Sequence, residues 1–350
     1  MLKQIRKKID EQLKMFLHND ELALSLAKSS LPLYKELSKF VLSNGKRIRP
    51  ALFVLAYEGL VTKKSKSIYK TAVSFELLHD FFLVHDDIID RSDLRRGVPS
   101  IHKRLSEHLK GSRNTELSGT DLAIISGDIL FSLALKAFLS SETYSKNSHK
   151  ALNKFINCSF YTEIGEYIEM LESIKNITQV KKEDIYKIYK LKTAMYTFSY
   201  PLSIGAELAC APAETIKGLF NYGIAIGIAF QIKDDILGLF AHEEKSGKSS
   251  LSDLNEAKKT LLIWKAFQTA SLKDKKIIQA LLGKTKISKQ DLDKMRSIVE
   301  KTGSLTYAKK EINRYYIKSQ KLLSALKMKN AQKQELCIIT KNILGIKNEN

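Results

Sequence analysis

Apolar positions along this chain recur with a helical period almost throughout. Ile5, Ile9, Leu13 and Leu17 repeat at spacing four in the first segment, and Leu52, Leu55, Ala56 and Leu60 open a second run after Pro50. From Ser67 to Asp90 the chain contains neither Gly nor Pro and is apolar on most sides, which predicts a helix at the centre of a large bundle. Further helices are expected over Leu117–Phe138, Asn147–Leu171, Lys182–Leu208 and Ala213–Phe240. Gly223, Gly227 and Gly238 in the last of these mark close helix contacts more than breaks. Thr260–Ala270, Lys273–Leu282, Ser288–Thr302, Ser304–Leu326 and Asn330–Ile346 complete the body. Loops are expected at Ser43–Arg49, Arg91–Ser100, Ser141–Lys146 and His242–Asp253.

No βαβ alternation, repeat or Pro/Ser-rich linker breaks this series. The expected fold is all-α, a large single-domain helical bundle of about ten to thirteen helices spanning residues 1–350. The N-terminus alternates basic and apolar residues too closely for a signal peptide. No stretch reaches 18 charge-free apolar residues, so no transmembrane segment is expected; Tyr222–Ile232 comes closest.

Composition narrows the class. Hydrophobic residues make up 44% of the chain and prolines number five, an ordinary globular balance. Three scattered cysteines, Cys158, Cys210 and Cys337, form neither a metal cluster nor a disulfide framework and fit a reducing, cytoplasmic setting. The net charge of +20 calls for anions: nucleic acid, an anionic membrane face or phosphorylated substrates. Part of the excess is a Lys-rich surface, since residues 301–350 carry eleven Lys/Arg against three Glu.

Two acidic clusters give that charge a chemical meaning. Asp86 and Asp90 stand four residues apart on one helical face, with Asp87 beside Asp86. Leu83, Val84, Ile88 and Ile89 bracket them, and carboxylates in apolar surroundings demand pairing or metal. An oxygen-only donor set suits a hard cation such as magnesium. Asp234 and Asp235 repeat the arrangement at the far end of the apolar run 224–232. Around the acids lie Arg95 and Arg96, the turn Gly45-Lys46-Arg47-Ile48-Arg49-Pro50, Lys248 in a Gly/Ser-rich loop, and Lys258 and Lys259 at the start of the next helix. Any one of these cations alone reads as a solvated surface charge. Together with the acids they predict two anion sites, one bound through metal and one by side chains directly.

These residues resemble the trans-isoprenyl diphosphate synthases, or polyprenyl synthetases. The matching motifs are Gly45–Pro50, Asp86-Asp87-Ile88-Ile89-Asp90 followed by Arg95-Arg96-Gly97, Lys192-Thr193, Phe230-Gln231-Ile232-Lys233-Asp234-Asp235 and Gly247-Lys248. The resemblance runs from about residue 40 to 305, leaving 306–350 as C-terminal helices. It implies magnesium-dependent condensation of isopentenyl diphosphate with an allylic diphosphate, three ions when substrate is bound, and a homodimer that binds no nucleic acid. By the same resemblance Asp86, Asp90 and Asp234 ligate magnesium, supported by Asp87 and Asp235. Arg95, Lys192 and Lys258 contact the allylic diphosphate, and Lys248 closes over it. Lys46, Arg49, His79 and Arg96 hold the diphosphate of isopentenyl diphosphate, and Thr193 and Gln231 lie near the reacting carbons and diphosphates.

Two departures stand out. The second motif ends in Gly238 where its third aspartate is usual, which implies weaker metal support, and Glu166 follows Gly165 where many relatives carry glutamine. Product length is expected to be set one helical turn below Asp86, about 6 to 7.5 Å deeper, where Phe82 and Phe81 stand. Two rings there predict a short product, farnesyl ahead of geranylgeranyl diphosphate. A terpene cyclase is the nearest competing enzyme but has no need of the Gly45–Arg49 and Arg96 site. A noncatalytic partner subunit or basic-surface binding protein is the other alternative, and it would not need intact acidic motifs.

Overall fold

A computed structural model describes residues 1–111, 116–140, 147–240, 252–284 and 286–346. It is all-α apart from a two-residue hairpin, and the chain divides into two compact units. Unit 1 comprises residues 1–153, 204–211 and 329–335, and unit 2 comprises 154–203, 212–328 and 336–350.

In unit 1 the helices are α1 (Leu2–Asn19), α2 (Glu21–Ser29), α3 (Leu31–Val41), α4 (Ile48–Leu60), α5 (Ile68–Ile89), α6 (Ile101–His108) and α7 (Gly119–Leu139). The spacing-four residues of α1 are the ones it buries: Ile5, Ile9, Leu13 and Leu17. The α5 helix is buried along nearly its whole length, as an apolar run without a polar face requires, and α1, α3, α4, α6 and α7 pack around it. A reciprocal Ser118–Asp121 capping box starts α7. Sequence periodicity misses α2, α3 and α6, which are short, and it misses the hairpin β1 (Leu94–Arg95) and β2 (Val98–Pro99) inside the expected loop. It also misses that α7 is long and apolar enough, by length and composition, to cross a membrane. Here α7 packs instead on α5 and α6, with Gly127 against the His85 ring.

The long helix α8 (Ser148–Ile174) runs on into unit 2, followed by α9 (Lys182–Ile188), a π-helical stretch (Tyr189–Ser199), α10 (Tyr200–Leu208) and α11 (Ala213–Phe240). Beyond them come α12 (Ser252–Asn255), α13 (Leu261–Thr269), α14 (Leu272–Leu282), α15 (Lys289–Lys301), α16 (Ser304–Ala325) and α17 (Asn330–Leu344). The described residues thus hold seventeen α-helical segments, more than expected, because short helices and the interrupted 182–208 run add to the count. The π-helical stretch and α16 pack on α11. Gly223 and Gly227 make the first contact possible: a Cβ at Gly227 would lie 2.3 Å from Cα of Ala194, and one at Gly223 2.5 Å from Cα of Ser199. The reading of these two glycines as contact points holds. Loops 141–146 and most of 242–253 fall outside the described residues, and Lys258 and Lys259 precede α13 rather than beginning it.

Candidate active site

Unit 1 carries the first acidic cluster and most of the predicted cations. Asp86 and Asp90 are partly exposed at the C-terminal end of α5, whereas Asp87 is 1% exposed. Its burial is compensated: the Arg95 guanidinium donates to the carboxylate through Nε, at 2.8 Å to Oδ1 and 3.1 Å to Oδ2, and through Nη2. The hairpin β1–β2 makes this pairing possible by turning the chain back beside α5, with Arg96 (φ 54°) and Gly97 (φ 79°) at its turn in the left-handed region. Arg96 donates from Nη1 to the Ser43 hydroxyl at 2.6 Å.

The basic turn before α4 separates two kinds of cation that sequence alone treats alike. Lys46 is exposed and Arg49 partly so, but Arg47 is buried in a left-handed conformation. Its Nη1 donates to Glu76 at 2.6 Å, Nε to Asp10 at 2.9 Å, and Nη2 to the carbonyls of Val41 and Ser43. Arg47 therefore fastens the turn to α5 and α1, and this presents Lys46 and Arg49. His79 lies on α5 in the same cluster. Burial, reinforced by Arg49, Arg96, Arg95 and Arg47, holds its imidazole well below the usual histidine range, so it is neutral at physiological pH.

Below the acids, Phe82 is buried and Phe81 partly exposed. The Phe81 ring lies tilted against Phe82 at 4.8 Å and Phe131 of α7 at 5.2 Å, and edge-on to His85 at 4.8 Å between centroids. Phe131 is a third ring at this level, which spacing along α5 could not reveal.

Unit 2 carries the second cluster. Asp234 is exposed, and Asp235 is 6% exposed. Asp235 is held by neutral donors: Gln231 Nε2 at 2.9 Å to Oδ1 and the Tyr189 hydroxyl to Oδ2. The Tyr189 oxygen accepts the Leu261 N–H at 2.8 Å, and Gln231 Oε1 accepts the Thr193 hydroxyl at 2.6 Å. Burial first, then Asp235, lifts the Tyr189 phenol well above its ordinary range, so it remains a donor. Close approach of Gly165 to the backbone of Lys192 brings Glu166 and Glu169 of α8 into ion pairs with the Lys192 ammonium. Glu166, the departure from the usual glutamine, thus shares the Lys192 ammonium with Glu169. Lys258 pairs with Glu256. Lys248 lies outside the described residues.

Sequence reasoning thus missed Tyr189, Glu169 and the fastening role of Arg47. The available signal was spacing alone: Tyr189 stands four residues before Thr193 in the charged helical run 181–193.

Residues 31–302 match the polyprenyl synthetase family model. The chain belongs to the polyprenyl synthetase family. It is 35% identical over 272 residues to a geranylgeranyl diphosphate synthase of Saccharolobus solfataricus, covering 76% of this chain and 75% of the relative. It is 32% identical over 299 residues to a geranylfarnesyl diphosphate synthase of Aeropyrum pernix, covering 84% and 87%. Among solved structures, a geranylgeranyl pyrophosphate synthase from Corynebacterium glutamicum, complexed with isoprenyl diphosphate and magnesium, superposes with a TM-score of 0.90 at 26% identity over 99% of this chain and 100% of that one. One from Pyrococcus horikoshii gives 0.82 at 29% identity over 99% and 97%. This polyprenyl synthetase is a prenyltransferase with the all-α fold of those neighbours.

Magnesium fits the donor set of this family member. No group of three or more His, Cys, Asp or Glu side chains among the described residues gathers tightly enough to hold an ion alone. Magnesium does not require one, because it binds through one or two carboxylates plus phosphate oxygens and water. Asp86 and Asp90 in unit 1 and Asp234 in unit 2 are solvent-accessible carboxylates of the kind such an ion takes.

Proposed function

We propose that this enzyme condenses isopentenyl diphosphate head-to-tail with allylic diphosphates, with geranylgeranyl diphosphate as its main product. The observation that carries this reading is the division of labour within each acidic pair. In both, one aspartate reaches solvent while its neighbour is buried and tied down, as expected of a site that presents carboxylates to a metal–diphosphate ligand. The names of the relatives move the product from farnesyl towards geranylgeranyl, and a geranylfarnesyl product is the nearest variation.

Asp86, Asp90 and Asp234 would hold magnesium, three ions with substrate bound, which would supply positive charge against the departing diphosphate. Arg95, Lys192, Lys258 and Lys248 add side-chain charge to the same leaving group. Glu166 and Glu169 hold the Lys192 ammonium in one orientation before substrate arrives. Lys46, Arg49, His79 and Arg96 hold the second diphosphate, so that the double bond of isopentenyl diphosphate attacks the allylic carbon. The proton lost from the adjacent carbon passes to the departing diphosphate. Gln231 and Thr193, oriented through Asp235, line the reacting region. Apolar walls exclude water from the allylic cation.

The Phe81 ring, braced by Phe131, floors the product cavity, and Phe82 fills core behind it. Phe81→Ala should lengthen the product by at least one isoprene unit, read by product chromatography. The whole chain acts as one isoprenoid synthase domain and as a homodimer. Phe160, Tyr167, Leu171 and Ile174 support the dimer, being exposed apolar residues at spacings of seven, four and three along α8. The decisive experiment is turnover of isopentenyl diphosphate with C5, C10 and C15 allylic diphosphates, with and without magnesium, followed by product-length analysis. Cyclisation of an allylic substrate alone, with isopentenyl diphosphate left unconsumed, would sink the proposal.

A further inference from the structure

One carboxyl in unit 1 has no role in the chemistry above. Asp80 lies one turn beyond Glu76 on α5, is 0% exposed, and neither of its oxygens has a hydrogen-bond partner among the described residues. A buried carboxylate left in this way costs several kcal/mol unless cations compensate it or it takes a proton. Arg47, the strongest of the opposing charges, is shared with Glu76, Asp10 and two carbonyls. The rest of the compensation falls on Arg96 and Arg49, the residues read above as part of the isopentenyl diphosphate site.

The surroundings define the charge balance. On its own helix Asp80 faces Glu76 and lies beside His79; the head of α4 contributes Arg47 and Arg49, and the hairpin turn contributes Arg96. Of the other elements packed on α5, α1 directs Asp10 to Arg47 and α3 directs Glu36 to Arg104 of α6. Burial and then Lys103 lower the His102 imidazole of α6, with Asp87 and Asp93 opposing, and Asp128 of α7 lies 3.8 Å from His85 Nε2. Burial first, then Glu76, pushes the Asp80 carboxyl well above the usual carboxylate range, and Arg47, Arg96 and Arg49 pull it back only in part.

We propose that Asp80 is a charge-balancing, positioning residue of the isopentenyl diphosphate site, taking up one proton from solvent when the diphosphate engages Arg49 and Arg96. The inference rests on the reading of that basic cluster given above. A diphosphate on these arginines offsets two of the three cations that stabilise the Asp80 carboxylate and adds like charge nearby, which favours the protonated form. The proton returns to solvent when the diphosphate leaves. Because the carboxyl is neutral in the complex, it does not repel the ligand. Between the pKa values of the free and bound states, affinity for isopentenyl diphosphate should fall about tenfold per pH unit.

Calorimetric titration with isopentenyl diphosphate, without allylic substrate and in buffers of different ionisation heat, counts protons taken up per ligand. From about pH 6 to about pH 9 the wild type should exceed Asp80→Asn by up to one proton at its maximum. The KM for isopentenyl diphosphate should climb more steeply with pH in the wild type than in Asp80→Asn, while the allylic KM is equal in both. The ligand's own ionisation and any proton gained by His79 are common to both proteins and cancel. Equal proton counts across the range, in an Asp80→Asn variant with an unchanged melting profile, would overturn the proposal. If that variant does not fold, Asp80→Thr replaces it. Arg49→Gln and Arg96→Gln test the underlying reading separately: each should raise the KM for isopentenyl diphosphate at least tenfold, and no change would remove the site itself.

Discussion

The two acidic clusters share one design and secure it by different chemistry. In each, the first aspartate is the more accessible and the second is buried, Asp87 on α5 and Asp235 on α11. Asp87 is balanced by a cation, Arg95, brought back by a two-strand hairpin. Asp235 accepts hydrogen bonds from two neutral donors, Gln231 of its own helix and Tyr189 of the π-helical stretch. A charge pair tolerates burial only while both members remain, whereas dipolar donors leave a smaller deficit when one is lost. The cluster with three aspartates is thus the more strongly built and the more brittle. The shortened one, with Gly238 in third place, leans on a hydrogen-bonded chain that also orients Gln231 and Thr193.

The first way to break this comparison is at the accessible acids. Asp86→Asn should lower kcat about a thousandfold and Asp234→Asn about thirtyfold, both with unchanged circular dichroism. Equal losses would mean the second motif is no weaker than the first. Next come the buried acids, compared by urea midpoint. Asp87→Asn leaves the Arg95 guanidinium without its anion and should cost about 3 kcal/mol. Asp235→Asn and Tyr189→Phe each disturb neutral hydrogen bonds and should cost about 1 kcal/mol, with kcat/KM down about tenfold as Gln231 loosens. Reversal of that order would refute the distinction between charge and dipole.

The smallest effect is a pH test at Lys259, which is buried and donates to the Ser173 carbonyl at the end of α8. Burial lowers its ammonium to about 8, with Glu172 opposing, against an ordinary value of 10.5. The unfolded chain keeps this proton up to its ordinary value, while the folded chain releases it near the lowered one. Stability from this group therefore rises with pH between the two values and is reduced below them. Lys259→Met should stabilise the protein by about 1 kcal/mol at neutral pH, with the gain fading towards pH 10.5. A gain that does not change with pH would assign the effect to packing.

Most of the helical body was legible in the sequence, because α1, α5 and α11 are long and their apolar spacing has one solution. The four residues expected on the inner face of α1 are the four it buries. Short α2, α3 and α6 give too few turns for a period to emerge, and a hairpin of two-residue strands has no periodicity to detect. Family motifs located the acids, the basic turn, Lys192 and Gln231, and the structure shows what holds them. The partners that hold them lie far along the chain, as with Tyr189 and Asp235 or Glu169 and Lys192, so motif spacing does not contain them. Arg47 looked like another site cation because composition does not distinguish a charge turned inward.

The π-helical stretch from Tyr189 to Ser199 makes this region intolerant of changes in length. A π-helix closes each turn with one residue more than an α-helix, and here that wider turn is seated on the bare backbone of Gly223 and Gly227. Removing a single residue between Ala194 and Phe198, with the winding of the rest of the segment kept, would break that register. Everything before the deletion would then rotate by about 100° relative to everything after it. Tyr189, Lys192 and Thr193 would leave Asp235, Glu166 and Gln231 together, while α10 kept its place. Related chains should therefore vary the length of this stretch hardly at all.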